Sequence, residues 1–256
     1  MLILVTNDDG VRAPGLWALV REIRRLGDVV VAAPSAQKSA ISSSITIYTP
    51  LLAARRREEG CDVHSVDGTT ADAVKLAFCE LLPERPQLVV SGINFGLNTG
   101  SNVLYSGTVA GALEAALYSV PAFAVSLEAT DDPQWSVAAR MARTIVQKLL
   151  RRHSKEPVAF NVNIPARPAS RIRGTLATVT EPEPHADSYE RRQDPRGRTY
   201  YWLRGTPARR DDAESNGAPE TPTDAWAVAH GYVSVTPIRR DLTDHGALKE
   251  AKKLLT

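Results

Sequence analysis

The sequence has only two cysteines, Cys61 and Cys79. That is too few for a disulfide framework, and the pair lacks the close spacing of a zinc site, so a reducing cytoplasm is the expected compartment. Charge excess is missing as well: 31 basic against 29 acidic side chains leave a formal net charge of +2. This balance gives no reason to expect a nucleic-acid polymer as partner, although arginines clustered locally could attract a small phosphorylated ligand. No apolar run is long enough to cross a bilayer, and the weakly polar stretch from Ala115 to Leu127 is broken by Pro121. The first residues carry no basic leader and too short an apolar run for a signal peptide, so neither a membrane span nor export is expected. Histidines number five, and none falls in a His-rich ligand motif. His64, His153 and His185 read as surface or core residues, while His230, just ahead of a late strand, is the one to test on the substrate side. The Gly-x-Gly-x-x-Gly fingerprint is absent from the first turn, which weakens dinucleotide binding and redox chemistry.

What is present is an ordinary soluble composition, 43% hydrophobic and 23% charged, in 256 residues that can bury one sizeable core. One domain over 1–256 is expected, with an α/β core over 1–165 and a more irregular part over 166–256. Leu2 to Thr6 reads as a strand buried on both faces and stopped by Asn7-Asp8-Asp9-Gly10. Pro14 and Gly15 then introduce a helix bearing Leu16, Leu19, Val20 and Ile23 on one side. Strands follow at Asp28–Pro34 and Gln87–Gly92, with a helix between them marked by Val74, Ala77, Phe78 and Leu81. An Ala-rich helix over Ser106–Ser119, a strand at Ala122–Leu127, a long helix at Trp135–Arg151 and a strand at Val158–Ile164 continue the alternation. The predicted fold is α/β, a Rossmann-like doubly wound and mostly parallel sheet whose ligands bind outside the carboxyl ends of the strands. Beyond Pro165 a projecting hairpin is expected around Asp194-Pro195-Arg196-Gly197, then a mobile loop from Gly205 to Asp224, a strand over Gly231–Pro237 and a C-terminal helix from His245.

The chemistry-bearing residues lie in four turns at that edge. Adjacent carboxylates in the turn after a strand can converge on one point, where a cation offsets their repulsion, and all-oxygen ligation suits Mg, Mn or Ca. Alone, Asp8 and Asp9 would read as turn formers and a helix cap. Ser91 to Gly100 packs glycines with Asn94 and Asn98 so densely that its backbone is expected to approach a phosphate or a metal, and Asn94 could add a neutral oxygen ligand. Alone it reads equally well as an ordinary Gly/Asn loop, because Asn tolerates left-handed conformations without serving a ligand. Ser106, Gly107 and Thr108 open a helix, where hydroxyls and free amides favour an anion, although a plain N-cap explains them too. The serine-rich loop containing Ser39 follows the second strand. Four such turns at one edge of one sheet are hard to explain as independent accidents.

These segments also carry a resemblance. LVTNDDGVRAPGLWAL, the Ser39 loop, SGINFGLNTGSNVLYSGTVAGALEAAL, NVNIP, DPRG with YYW, and GYVSVTP together resemble the SurE family, the stationary-phase survival protein and 5'-nucleotidase, in order over nearly the whole chain. The resemblance implies one divalent metal per subunit (Mg, Mn or Ca), bound by Asp8, Asp9, Ser39 and Asn94. It also implies hydrolysis of nucleoside monophosphates and C-terminal elements exchanged in a homodimer, sometimes building a homotetramer. On this reading Asp8 and Asp9 are catalytic, and Asn98, Ser106, Gly107 and Thr108 bind the phosphate. Three positions depart from the family pattern: alanine follows Ser39 where glycine is common, Thr70 stands where proline is usual, and Asn102 where aspartate is frequent. Two rival readings stay open. An aspartyl-phosphate phosphatase should space its two aspartates by one residue, whereas these are adjacent; a non-catalytic mononucleotide sensor is not excluded by any motif.

Overall fold

The computed structural model describes residues 1–151, 158–182, 188–204 and 219–255. Within them a nine-stranded sheet runs β3-β4-β2-β1-β5-β6-β7-β11-β8. Its central strands are β1 (Leu2–Thr6), β2 (Asp28–Pro34), β4 (Cys61–Val66), β5 (Leu88–Phe95), β6 (Ala122–Leu127) and β7 (Ala159–Ile164), all mutually parallel. The order reverses at β1: the chain winds outward through β2 and β4 on one side, then returns to place β5, β6 and β7 on the other. A crevice opens at such a reversal because the connections leave in opposite directions.

Two helical layers cover the sheet. On one side, α1 (Pro14–Ile23) and α4 (Trp135–Leu150) pack on Ile3, Val5, Val90 and Phe123; on the other, α2 (Thr70–Leu76) and α3 (Gly107–Leu117) pack on Leu4, Ala32, Val89 and Ala124. Because side chains alternate along a strand, β1 contributes to both layers and is buried throughout. Pro14 supplies the fixed φ of a first helical turn, and Leu16, Leu19, Val20 and Ile23 are all buried, as their spacing predicts.

Several elements are not visible in the sequence pattern. A hairpin of β3 (Ala53–Glu58) and β4 closes one edge antiparallel. The edge strand β3 reads Ala-Ala-Arg-Arg-Arg-Glu and is largely exposed, so it lacks the apolar alternation that would announce it. At the other edge, β11 (Tyr232–Ile238) pairs antiparallel with β7 and parallel with the short β8 (Gly174–Ala177). Asp224, expected to end a mobile loop, instead opens α5 (Asp224–Ala229) and is fully buried. The rest of the expected loop, over 205–218, lies outside the described residues, as do His153 and His185. The hairpin of β9 (Ser188–Gln193) and β10 (Thr199–Arg204) forms around the predicted turn as a separate two-stranded sheet, and α6 (His245–Leu255) ends the described chain.

Candidate active site

The strand predicted to stop at Gly92 continues to Phe95, with a register shift against β6 between Gly92 and Asn94. One extra residue there breaks the simple in-and-out alternation, so Asn94 and Phe95 follow a side-chain pattern that Leu88–Ser91 do not predict. Ends of β1 and β5 thus meet at the reversal point. The Phe95 backbone N–H donates to Asp9 Oδ2 at 3.1 Å, tying the two strand ends together directly. Asn94 Nδ2 donates to the Gly96 carbonyl at 2.8 Å, which leaves the amide oxygen as the acceptor this side chain can offer.

Asp8 is 3% exposed and sits against the start of α3. The Thr108 hydroxyl donates to Asp8 Oδ1. A Cβ at Gly107 would lie 2.8 Å from Asp8 Cβ and 2.9 Å from Oδ2, so only glycine lets the helix approach this closely. Ser106 is the N-cap, its Oγ accepting from Val109 N at 3.1 Å. The positive end of α3 is therefore turned toward the Asp8 carboxylate, and Thr108, expected on the phosphate, spends its hydroxyl on that aspartate. Burial pushes the Asp8 carboxyl up to about 6; the Thr108 hydrogen bond works against the rise and the neighbouring Asp9 charge adds to it. Burial likewise raises Asp9, opposed by the Phe95 N–H. Two adjacent carboxylates that both resist ionisation form a place where positive charge is wanted.

The Ser39 loop reaches the same turn through its backbone. Gly10, at φ +98°, lies so close to residues 36 and 37 that a Cβ would be 3.2 Å from the Ala36 carbonyl carbon. The next residue, Lys38, donates its N–H to the Asp8 carbonyl at 2.7 Å, and Ser39 Oγ accepts from Gln37 Nε2 at 2.9 Å. Further along, Ser42 donates to the Tyr105 and Leu104 carbonyls. Asp72 then binds Thr46 through both backbone and side chain. Burial of Asp72 would raise its pKa, but hydrogen bonds from Thr69 and Thr46 outweigh it and hold the carboxyl below its usual range.

Asn98 is placed differently from a freely offered ligand. It is buried, and its Nδ2 donates to Ser126 Oγ at 2.8 Å. Its backbone N–H donates to Asn163 Oδ1, and its carbonyl accepts from Asn161 Nδ2 at 2.7 Å and Asn163 Nδ2 at 3.1 Å. Two asparagines of β7 thus hold the loop floor. The loop's far side is held by Asp224, whose carboxylate accepts from the backbone N–H groups of Gly100, Glu181 and Ala225. Burial raises the pKa of Asp224, with those N–H groups opposing the rise. His230 is buried next to α5, stacked on Trp226 with ring centroids 3.9 Å apart and its Nδ1 2.8 Å from the Trp226 carbonyl. His64 is buried within β4, where desolvation lowers its pKa. Thr108, Asn161 and Asn163 as anchors are legible only as members of motifs, and Asp224 not at all, since their partners lie far away in sequence.

Asp8, Asp9, Asn94 and the backbone beside Ser39 are therefore brought to one turn region, facing a helix N-terminus. Among the described residues, no three or more His, Cys, Asp or Glu side chains gather as a metal cluster. Two carboxylates with neutral oxygens remain, a donor set that suits a hard cation and does not suit zinc or iron–sulfur chemistry.

The profile of the family described as "Survival protein SurE" matches residues 3–187. The chain belongs to the SurE family. It is 39% identical over 257 residues to the 5'-nucleotidase SurE of Syntrophus aciditrophicus (strain SB), covering 100% of this chain and 94% of that relative. Identity is 43% over 250 residues to the 5'-nucleotidase SurE of Alkalilimnicola ehrlichii (strain ATCC BAA-1101 / DSM 17681 / MLHE-1), covering 98% and 93% respectively. The crystal structure of SurE protein from Aquifex aeolicus superposes with a TM-score of 0.83 at 35% identity, with both chains 100% covered. Two departures from the SurE pattern have visible consequences. Ala40, where glycine is common, sits at φ +58° in the left-handed region. Thr70, where proline is usual, donates its hydroxyl to the Asn7 carbonyl at 3.1 Å, next to the acidic pair.

Proposed function

We propose that this SurE protein is a divalent-metal-dependent phosphatase of nucleoside monophosphates, with 5'-nucleotides as the first substrates to test. One observation carries the reading: Asp8 and Asp9 are adjacent and both discouraged from ionising by burial, with Asp8 packed on Gly107 at the start of α3 and Asp9 tied to the Phe95 N–H of β5. Asp8, Asp9, Ser39 and Asn94 would hold one Mg, Mn or Ca ion. When bound, that ion supplies Lewis-acid polarisation of the phosphate and charge neutralisation.

The chain's own residues divide the remaining work. The Thr108 hydroxyl donates to Asp8 and the Phe95 N–H to Asp9 Oδ2, which orients the two carboxylates. The Ser106 hydroxyl accepts from Val109 N with a lone pair and still has its proton to donate to a phosphate oxygen. The Gly107 N–H at the helix start is a second donor. Asn98 acts through the loop it anchors, and either aspartate could accept the proton of the attacking water. Adjacent placement of the aspartates continues to disfavour an aspartyl-phosphate route, and 3'-nucleotides and polyphosphate belong to the substrates to be tried.

The same reading assigns one domain over 1–256, assembled as a homodimer or homotetramer with C-terminal elements exchanged. Its support is the exposure of Tyr201, Trp202 and Leu203 on the hairpin and the lack of any buried residue on α6. Two free cysteines fit a cytoplasmic location. No helix among the described residues is long and apolar enough to cross a membrane. Phosphate release from a panel of nucleoside monophosphates, with Mn, with Mg and with chelator, tests the activity. Release that chelator abolishes and Mn or Mg restores is expected; nucleotide binding without release would instead make the protein a sensor.

A further inference from the structure

Phe95 is unusual among the large apolar residues of the core strands. It is the last residue of β5, follows Asn94 directly, and is 48% exposed, whereas Leu88, Val89, Val90 and Ile93 of the same strand are wholly buried. Its backbone is fixed at two points: its N–H donates to Asp9 Oδ2, and the N–H of Gly96 donates to the Leu127 carbonyl at 2.8 Å. The ring cannot drift far from the acidic pair. On one side it meets Trp135 at a centroid distance of 5.9 Å, tilted by 53°. Trp135 is itself brought in by Gly15, where a Cβ would lie 2.9 Å from the Trp135 ring and 2.2 Å from the Ile93 carbonyl oxygen.

We propose that Phe95 is the base-binding residue of this site, its exposed ring stacking on the nucleobase of a nucleoside monophosphate whose phosphate lies at Asp8 and Asp9. The inference rests on the phosphatase reading and adds a recognition element to it. A phosphate held at the strand ends leaves the base to be bound by whatever stands beside them, and the residue beside Asp9 is an aromatic ring on a rigid backbone. Stacking on a ring face tolerates every base, because each base has a π-face, so the site would select nucleotides over simple sugar phosphates without strong preference among bases. Trp135 packs against the ring at a tilt and restrains its rotation, which reduces the ordering needed when a base arrives.

The test compares the full-length protein with Phe95→Ala, Phe95→Leu and Phe95→Trp, using AMP and ribose 5-phosphate as substrates in the presence of Mn. Ribose 5-phosphate keeps the sugar and the phosphate ester and lacks only the base. The ratio of kcat/KM for AMP over ribose 5-phosphate is expected to fall about tenfold in Phe95→Ala, chiefly through KM, and by a similar factor in Phe95→Leu, which keeps apolar bulk without a π-face. Phe95→Trp should preserve or raise the ratio. A ratio unaltered by Phe95→Ala overturns the proposal, even if both activities fall, because that result assigns Phe95 to folding or to a subunit contact. Should the wild type hydrolyse neither substrate, the phosphatase reading has failed. Equilibrium dialysis of AMP against wild type and Phe95→Ala then decides the platform separately, with equal binding counting against it.

Discussion

Thr108 donates its hydroxyl to Asp8 across 100 residues of sequence, from the first turn of α3 to the end of β1. With Gly107 packed on the same carboxylate, this contact orients Asp8 and places it at the positive end of a helix dipole. The aspartate is thereby held in position and yet remains difficult to ionise.

Replacing Asp8 with Asn should separate activity from stability. Turnover is expected to be lost, while the metal-free protein at pH 7 gains about 1–3 kcal/mol, because a buried carboxyl raised from 3.8 to about 6 is costly to ionise and an amide is not. Thr108 can still donate to the new side-chain oxygen. Chelator-treated samples compared by urea unfolding, alongside phosphate release, would measure both effects; a destabilised variant contradicts the argument.

The same displacement sets a pH dependence. A carboxyl with a higher pKa in the fold than in the unfolded chain binds its proton more tightly when folded, so it leaves stability intact below about pH 4. Its ionisation then subtracts stability as pH rises toward and past about 6. Metal-free protein should therefore be more stable near pH 5 than at pH 7 as far as Asp8 is concerned, an effect that Asp8→Asn removes. Metal binding needs the ionised form, so Mn affinity measured by calorimetry should weaken about tenfold per pH unit below pH 6.

Gly107→Ala is expected to fold and fail to work. Alanine suits a first helical turn, but its methyl would stand 2.8 Å from Asp8 Cβ and must push the aspartate aside. A loss of roughly 100-fold or more in kcat/KM follows from an ångström-scale misplacement of a catalytic group. Circular dichroism should show an unchanged helix content, and near-normal kcat/KM would remove Gly107 from the site.

Asn163→Ala leaves the buried Asn98 N–H without its acceptor and the Asn98 carbonyl with one donor fewer. The expected cost is about 1–3 kcal/mol, with faster amide hydrogen exchange at Asn98 than elsewhere in the sheet. Equal exchange at Asn98 in both proteins would show that the loop does not depend on β7.

Ala40→Gly should stabilise the protein by about 0.5–1 kcal/mol. A non-glycine residue at φ +58° bears a left-handed penalty that exceeds the added chain entropy of glycine. Thermal unfolding would register a rise of a few degrees at most; a fall would mean that the Ala40 methyl is in a contact worth more than the strain.

The buried runs Leu2–Thr6, Asp28–Pro34 and Ala122–Leu127 and the apolar stripe of α1 are local patterns, and the fold class could be read from them because strand and helix periods are properties of short segments. The strand edges escaped that reading. β3 is too charged and exposed, and β8 too short, to show a period.

For the site, the sequence by itself determined which residue types stand at each turn: the acidic pair, the Gly/Asn run, the Ser-Gly-Thr helix start, and the aromatic ring after Asn94. Tertiary structure alone decided how they are used. It turned Thr108 toward Asp8, buried Asn98 on the asparagines of β7, drew Asp224 under Gly100, and left the ring of Phe95 outside the core. These outcomes depend on which strand ends become neighbours, and the reversal of strand order at β1 makes neighbours of β1 and β5 although they lie more than 80 residues apart, as the 86-residue separation of Phe95 from Asp9 shows.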